Sequence, residues 1–210
     1  MEAVAFDLMG VIYRVADDMR GLVTPFARGH GSQLTDRDIR SAYRRAMLGE
    51  LTADQFWSAL GVEGDPQDLN RAYVSGYEVV PGICGLLDDL LNEGLQLGSI
   101  SNDVAEWSIA RRALHGLDRR IAYWTISSEV RARKPDQAIF LAFLERVGLT
   151  SEKVVFVDDR QVNIAAAEAL GFRTILVDFA SDANDPHAVR SVEQLRDALL
   201  ELRRTAERAP

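Results

Sequence analysis

Four groups of residues in this chain could do chemistry. Asp7 ends the apolar run Val4 to Phe6 and is followed by a break at Gly10. Asp158 and Asp159 end a second apolar run, Val154 to Val157. Ser101, Asn102 and Asp103 follow the run Leu97 to Ile100, and Lys134 stands between Arg133 and Pro135 just ahead of a helical pattern. A carboxylate that ends a buried parallel strand lies at the carboxyl edge of the sheet, where open α/β folds bind their ligands. Two adjacent carboxylates there are costly to keep charged unless a cation joins them. Each group also has a plainer reading. Asp7 suits a turn or a helix cap, and Asp158 with Asp159 suits a surface turn paired with Arg160. Lys134 suits a solvated lysine among Arg131 and Arg133, and Ser101 with Asn102 is a common turn pair.

The elements that would position these groups alternate. Strand-like runs fall at 3–7, 95–101, 121–126, 153–158 and 173–178. Helical stripes lie between most of them. Ile83, Leu86, Leu87, Leu90 and Leu91 form one, closed by Gly94, and Ile139, Phe140, Phe143 and Val147 form another, closed by Gly148. A third, 161–170, ends at Gly171, and Ser191 with Gln194 reads as a capping box ahead of Leu195, Leu199 and Leu202. Strands alternating with helices imply a five-stranded, doubly wound parallel sheet of the Rossmann-like α/β class. The stretch 14–80 breaks the alternation. Thr35 to Asp38 opens a helix bearing Ile39, Tyr43 and Met47, and Thr52 with Gln55 forms a capping box with Leu51 and Phe56 placed as a staple. We therefore expect a core of 1–13 and 81–210 with a small helical insert, 14–80, above the carboxyl edge over Asp7. Asp65-Pro66 and Pro81-Gly82 read as boundaries, and the charged residues after Leu202 as a fraying end.

The pattern resembles the haloacid dehalogenase-like hydrolase superfamily over nearly the whole chain. The residues that carry the resemblance, beyond those above, are Pro81-Gly82 before a leucine-rich helix, Lys134-Pro135-Asp136 with Ile139 and Phe140, and Arg160 with Asn163 ahead of an alanine-rich helix. The insert resembles that superfamily's helical cap, and the Asp158-Asp159-Arg160 form with Asn163 is most similar to the sugar-phosphate phosphatases and the amino-terminal phosphatase domain of soluble epoxide hydrolase. The resemblance implies a Mg²⁺-dependent phosphatase acting through an aspartyl-phosphate. Asp7 would be the nucleophile. Asp7, Asp159 and the Met9 carbonyl would hold the metal, with Asp158 acting through water or as a second ligand. Lys134 would neutralise Asp7 and the phosphoryl group, and the Ser101 hydroxyl and Asn102 N–H would bind phosphoryl oxygens. The chemistry is consistent. Phosphoryl transfer asks a protein for a nucleophile and for charge neutralisation, and Mg²⁺ is a hard cation that takes a few carboxylates, water and phosphate.

Met9 departs from the pattern. Most phosphatases of the superfamily carry there an Asp that protonates the leaving group and then activates water, and a thioether can do neither. General acid–base catalysis is worth about 10²–10⁴ in rate. Three functions follow: a phosphohydrolase of a small phosphorylated metabolite that manages without that acid; a catalytically impaired relative that binds a phosphorylated ligand or a partner protein; and a metal-free haloacid dehalogenase. The last fits least, because that branch's fourth motif resembles Ser-Ser-Asn and not an acidic pair.

Composition narrows the rest. The 210 residues are 47% hydrophobic with net charge −8, one cysteine, Cys84, and no basic tract. We expect a soluble cytoplasmic protein, monomeric or homodimeric, that binds neither nucleic acid nor membrane. Arg14, Arg28, Arg44 and Arg45 lie in or beside the insert, each more in keeping with a solvated face than with a second anionic group of a substrate. Trp57, Trp107 and Trp124 are expected in packing, His30, His115 and His187 at the surface, Asn163 as a brace of its loop, and Asp103 as a helix cap.

Overall fold

The computed structural model describes residues 1–179 and 188–208. His187 lies outside them. Five short, apolar strands, β1 (Ala3–Phe6), β2 (Gln96–Ser101), β3 (Tyr123–Ile126), β4 (Val154–Asp158) and β5 (Arg173–Leu176), form one parallel sheet in the order β3-β2-β1-β4-β5. Parallel neighbours need crossovers, and helices supply them. The first strand is central, so the chain winds outward on one side through β2 and β3 and on the other through β4 and β5. The carboxyl ends of β1 and β4 meet at that switch point. Register sets their level: Phe6 lies opposite both Ser99 and Val157. Asp7 and Asp158, one residue on, therefore leave the sheet side by side.

Side-chain alternation along the strands divides the core between two faces. Val4, Phe6, Leu97, Val155 and Val157 point into one buried cluster, and Ala3, Ala5, Ile100 and Phe156 into the other. The second face is covered by α8 (Gln137–Val147) and α9 (Gln161–Glu168). Gly98 lets the α8 helix lie close, because a Cβ there would run into the Phe143 ring. The first face receives α5 (Ile83–Asn92) and α10 (Val192–Arg208). The charged tail therefore does not fray after Leu202. Helix α10 continues to Arg208, supported by an i,i+3 pair between Glu201 and Arg204 at 3.1 Å and by Arg203 on Glu93 at 3.0 Å.

Between β1 and α5 there is no named strand. A π-helical turn (Met19–Val23) leads into α1 (Thr24–Gly29), α2 (Asp36–Met47), α3 (Ala53–Ala59) and α4 (Pro66–Ser75). The Thr35 hydroxyl accepts from the Asp38 N–H at 3.2 Å, and Thr52 with Gln55 forms both bonds of a capping box. Asp65 caps a further helix with Pro66 at its first position, so this pair starts α4. The insert shares its packing with α6 (Ala105–Leu114). Trp57 and Trp107 are both buried, and both indole N–H groups donate to Asn70 Oδ1, at 2.7 and 2.8 Å. Trp124 is half-buried under Arg112, 4.8 Å away.

Two histidine expectations are corrected. His30 and His115 are partly buried: His30 stacks on Phe26 at 4.1 Å, and His115 packs beside Tyr13 at 5.6 Å. Phe26 lies one helical turn before His30 and was within reach of a local reading, whereas Tyr13 is far from His115 in the chain.

Candidate active site

The carboxyl ends of β1 and β4 deliver Asp7 and Asp158 into a buried cluster. Lys134 arrives from the loop before α8 and joins them: its Nζ lies 2.8 Å from Asp7 Oδ1 and 2.7 Å from Asp158 Oδ2, all three side chains being nearly inaccessible. Asn102 secures that loop. Its side chain accepts from the Lys134 N–H at 2.7 Å and donates to the Lys134 carbonyl at 3.0 Å. The Asn102 side chain is thereby occupied with positioning Lys134. Ser101 is fully buried, and its hydroxyl has no partner among the described residues.

Asp158 and Asp159 differ despite being neighbours. Asp158 is fully engaged: Asn163 Nδ2 donates to both of its oxygens at 3.0 Å, the Arg160 N–H to one at 2.8 Å, and Lys134 to the other. Asn163 thus braces this loop. Asp159 is half-buried and turned toward a cavity of about 490 Å³, which Asp7, Met9, Asn102, Lys134 and Asn163 also line. Gly10 makes the close approach possible. Its φ is 74°, and a Cβ there would lie 2.7 Å from the Asp159 carboxyl carbon.

Oxygens of Asp7, Asp158 and Asp159 lie within 4.8 Å of one another. Burial raises the pKa of Asp7 well above the ordinary carboxylate range. Lys134 pulls it back, and the charges of Asp158 and Asp159 push it up again. Asp159 is raised to about 7, by burial first and then by Asp158. Burial alone would lower the Lys134 pKa, but the charges of Asp158 and Asp7 outweigh it and hold it above its usual value. Three carboxylates against one ammonium leave the cluster two charges short of neutrality, which is the charge of one divalent cation. The donor set, hard carboxylate oxygens at a cavity wall, fits a hard ion such as Mg²⁺.

Part of the surroundings was not visible in the sequence. Asp103 is not a helix cap: it is fully buried and pairs with buried Arg111, whose guanidinium also lies 4.1 Å from the centre of the Tyr77 ring. The N-cap position of α6 is Val104. On the far wall of the cavity Asp18 accepts hydrogen bonds from the Tyr43 hydroxyl and, at 3.4 Å, the Tyr77 hydroxyl. Burial outweighs these bonds and raises the Asp18 pKa to about 6. Such a group favours the fold below its unfolded pKa near 3.8, and that contribution is lost as pH rises through 6. Asp18→Asn should therefore raise the stability at pH 7–8 by about 1–2 kcal/mol, with the gap closing below about pH 4. Urea midpoints across pH would check this, and a variant less stable at pH 8 would refute it.

A model of the haloacid dehalogenase-like hydrolases matches residues 1–171. A drimenol cyclase of Aspergillus calidoustus is 28% identical over 73% of this chain, and the chain spans only 30% of that protein's length. Phosphoglycolate phosphatase 1 of Pseudomonas aeruginosa is 24% identical over 93% of this chain and 78% of its own. A haloacid dehalogenase-family enzyme of Bacteroides thetaiotaomicron, solved with magnesium and inorganic phosphate, superposes with a TM-score of 0.74 at 19% identity, covering 87% of this chain and 96% of that one. That likeness is one of fold. Among the described residues no helix is long and apolar enough to cross a membrane.

Proposed function

The chain belongs to the haloacid dehalogenase-like hydrolases, and on that premise we propose that it is a Mg²⁺-dependent phosphatase of a small phosphorylated metabolite. The observation that carries this reading is the buried cluster of three carboxylates and one lysine at the wall of a cavity of about 490 Å³. Asp7, Asp159 and the Met9 carbonyl would hold Mg²⁺, with Asp158 acting through water or as a further ligand. Bound there, the ion supplies the positive charge that offsets repulsion between a carboxylate and a phosphate dianion.

The chain's own residues would do the following. Asp7 attacks phosphorus, the bond to the substrate oxygen breaks, and an aspartyl-phosphate forms. Lys134 neutralises Asp7 and the phosphoryl group, while the unpartnered Ser101 hydroxyl and the Asn102 N–H bind phosphoryl oxygens. Water then hydrolyses the acyl phosphate and returns Asp7. Residues 14–80 would serve as the cap that excludes water and reads the rest of the substrate, set on a core of 1–13 and 81–210.

Met9 cannot donate the proton that the leaving oxygen needs. Water or a substrate hydroxyl would take that part, and turnover of poor leaving groups would be slow. The same substitution favours a second reading, a binding protein for a phosphorylated ligand. A metal-free dehalogenase sits poorly with the acidic cluster, which lacks charge balance without a cation. The acidic net charge of −8 argues against nucleic acid or an anionic membrane as a partner, and we infer a cytoplasmic protein, monomeric or homodimeric.

Phosphate release across sugar phosphates, phosphoglycolate and p-nitrophenyl phosphate, with Mg²⁺ and with EDTA, tests the proposal. Turnover should fall at least a hundredfold in EDTA and return with Mg²⁺. Silence across the panel from a folded protein that binds Mg²⁺ would move the reading to the binding role. Turnover indifferent to EDTA would sink the metal assignment.

A further inference from the structure

Helix α2 turns one face to the cavity. Arg40, Tyr43, Arg44 and Met47, at i, i+3, i+4 and i+7, all line it, and Arg133 and Arg160 line it from the core. Like charges at i and i+4 of a helix repel, and surface arginines usually have an acid in reach. Several other arginines of the insert do: Arg14 pairs with Glu78 at 3.4 Å, Arg28 with Asp36 at 3.0 Å, and Arg45 with Glu50 at 3.1 Å, while Arg37, away from the cavity, has no ion pair among the described residues. Arg44 is exposed, as a solvated face expects, and it also lines the cavity. Among the described residues it has no ion pair, and neither have Arg40, Arg133 and Arg160.

Arg133 sharpens the point. It is half-buried, and its Nε is inaccessible and without a hydrogen-bond partner. Burial, and then the charges of Arg44 and Arg160, act against its own charge, with Asp136 the one acid that offsets them. The helix dipole would favour a cation in the last turn of α2 but does nothing for Arg133 or Arg160. The acids on the same cavity are already committed: Asp7 to Lys134, Asp18 to Tyr43, and Asp17 to Arg20 at 3.5 Å. Asp159 belongs to the proposed metal cluster. The cavity thus holds an acidic end suited to a cation and a basic wall whose arginines have no ion pair among the described residues.

We propose that Arg44, Arg133 and Arg160, with Arg40, form a subsite for a second anionic group on the substrate, a carboxylate or a second phosphate. The inference rests on the phosphatase reading and names the class of phosphate ester: one that carries a further negative charge. Planar guanidinium forks match carboxylate and phosphate alike. The shared wall also explains the position of α2, since Arg44 from the insert and Arg133 from the core would close on one anion.

The test compares kcat/KM for phosphoglycolate, fructose 1,6-bisphosphate and glycerol 1-phosphate, the last having no second anionic group. The wild type should favour at least one of the first two over glycerol 1-phosphate by tenfold or more. Arg44→Ala and Arg133→Ala should each cut that preference by about tenfold, and Arg44→Lys should retain part of it. A larger cut for phosphoglycolate identifies a carboxylate subsite, and a larger cut for the bisphosphate a phosphate subsite. Calorimetric binding of the same compounds to Asp7→Asn, with and without Arg44→Ala, separates this inference from the phosphatase reading. Arg44-dependent binding without turnover in the wild type would retain the subsite and overturn the hydrolysis. Asp7-dependent turnover with the preference unmoved in both arginine variants would overturn the subsite and retain the hydrolysis.

Discussion

Asp7→Asn is expected to reduce phosphate release by on the order of 10⁴-fold or more while leaving the protein folded and, in EDTA, slightly more stable. The loss follows from the proposed covalent step, since an amide is a poor nucleophile and no other carboxylate occupies its place at the end of β1. The stability gain follows from the geometry. Three carboxylates have oxygens within 4.8 Å of one another and share one ammonium. Asparagine removes one of the crowded negative charges and keeps an oxygen to accept the Leu8 N–H, now at 2.6 Å from Asp7 Oδ1. Lys134 still has Asp158. A gain of about 1 kcal/mol is the scale of such an exchange of function for stability. Turnover and urea midpoints measured on one preparation decide it. Undiminished turnover would remove Asp7 as nucleophile. A large loss of stability would make Asp7 first of all the counter-ion of Lys134.

Arg111→Met should cost about 3–5 kcal/mol of stability. Arg111 and Asp103 are both fully buried and paired. Removing the cation leaves the buried Asp103 carboxylate with the neighbouring Val104 N–H as its one remaining side-chain partner among the described residues. The guanidinium is itself poorly served, as its Nε and Nη1 have no partners among the described residues. The pair is thus expected to matter when broken and to contribute little when removed whole. Arg111→Met with Asp103→Leu should recover most of the loss, a coupling that a double-mutant cycle measures directly. A single-mutant cost below about 1 kcal/mol would show that water or relaxation compensates Asp103.

These two sites show what a sequence discloses and what it hides. Asp7 and Asp158 were legible because they end apolar runs that read as strands, and strand ends in a parallel sheet converge. The stops at Gly94 and Gly148 and the box at Thr52 and Gln55 were legible because caps are local. Asp103 was misread for the same reason. An Asp ahead of a helix has a local partner within reach, and nothing near it in the chain announced Arg111 eight residues on. The expectation for Asn102 concerns its backbone N–H; that its side chain holds the Lys134 loop from 32 residues away was not legible, because the partner is distant in the chain. The place of Arg133 and Arg160 on the cavity was not legible, because each stands beside a residue with a stronger reading, Lys134 and Asp159, and its own direction is set by tertiary packing. The i,i+4 pair of Arg40 and Arg44 beside Tyr43 and Met47 was a signal in plain sight, an apolar and basic stretch of one helical face whose acid, Asp36, lies a turn earlier and pairs with Arg28.

Helix α2 is fastened to the core at its carboxyl end. The buried Ser127 hydroxyl donates to the Met47 carbonyl at 2.6 Å, and Gly49, with φ of 71°, passes so close to the Ser128 backbone that a Cβ there would lie 3.3 Å from its carbonyl carbon. The other end is held within the insert, by Arg28 on Asp36 at 3.0 Å. At 1.5 Å per residue Arg44 lies about 4–5 Å from Met47 along the axis and Arg40 about 10 Å. The joint at Met47 thus works as a ruler laid from the core: it sets the place of Arg44, about one turn away, more closely than that of Arg40, two turns away.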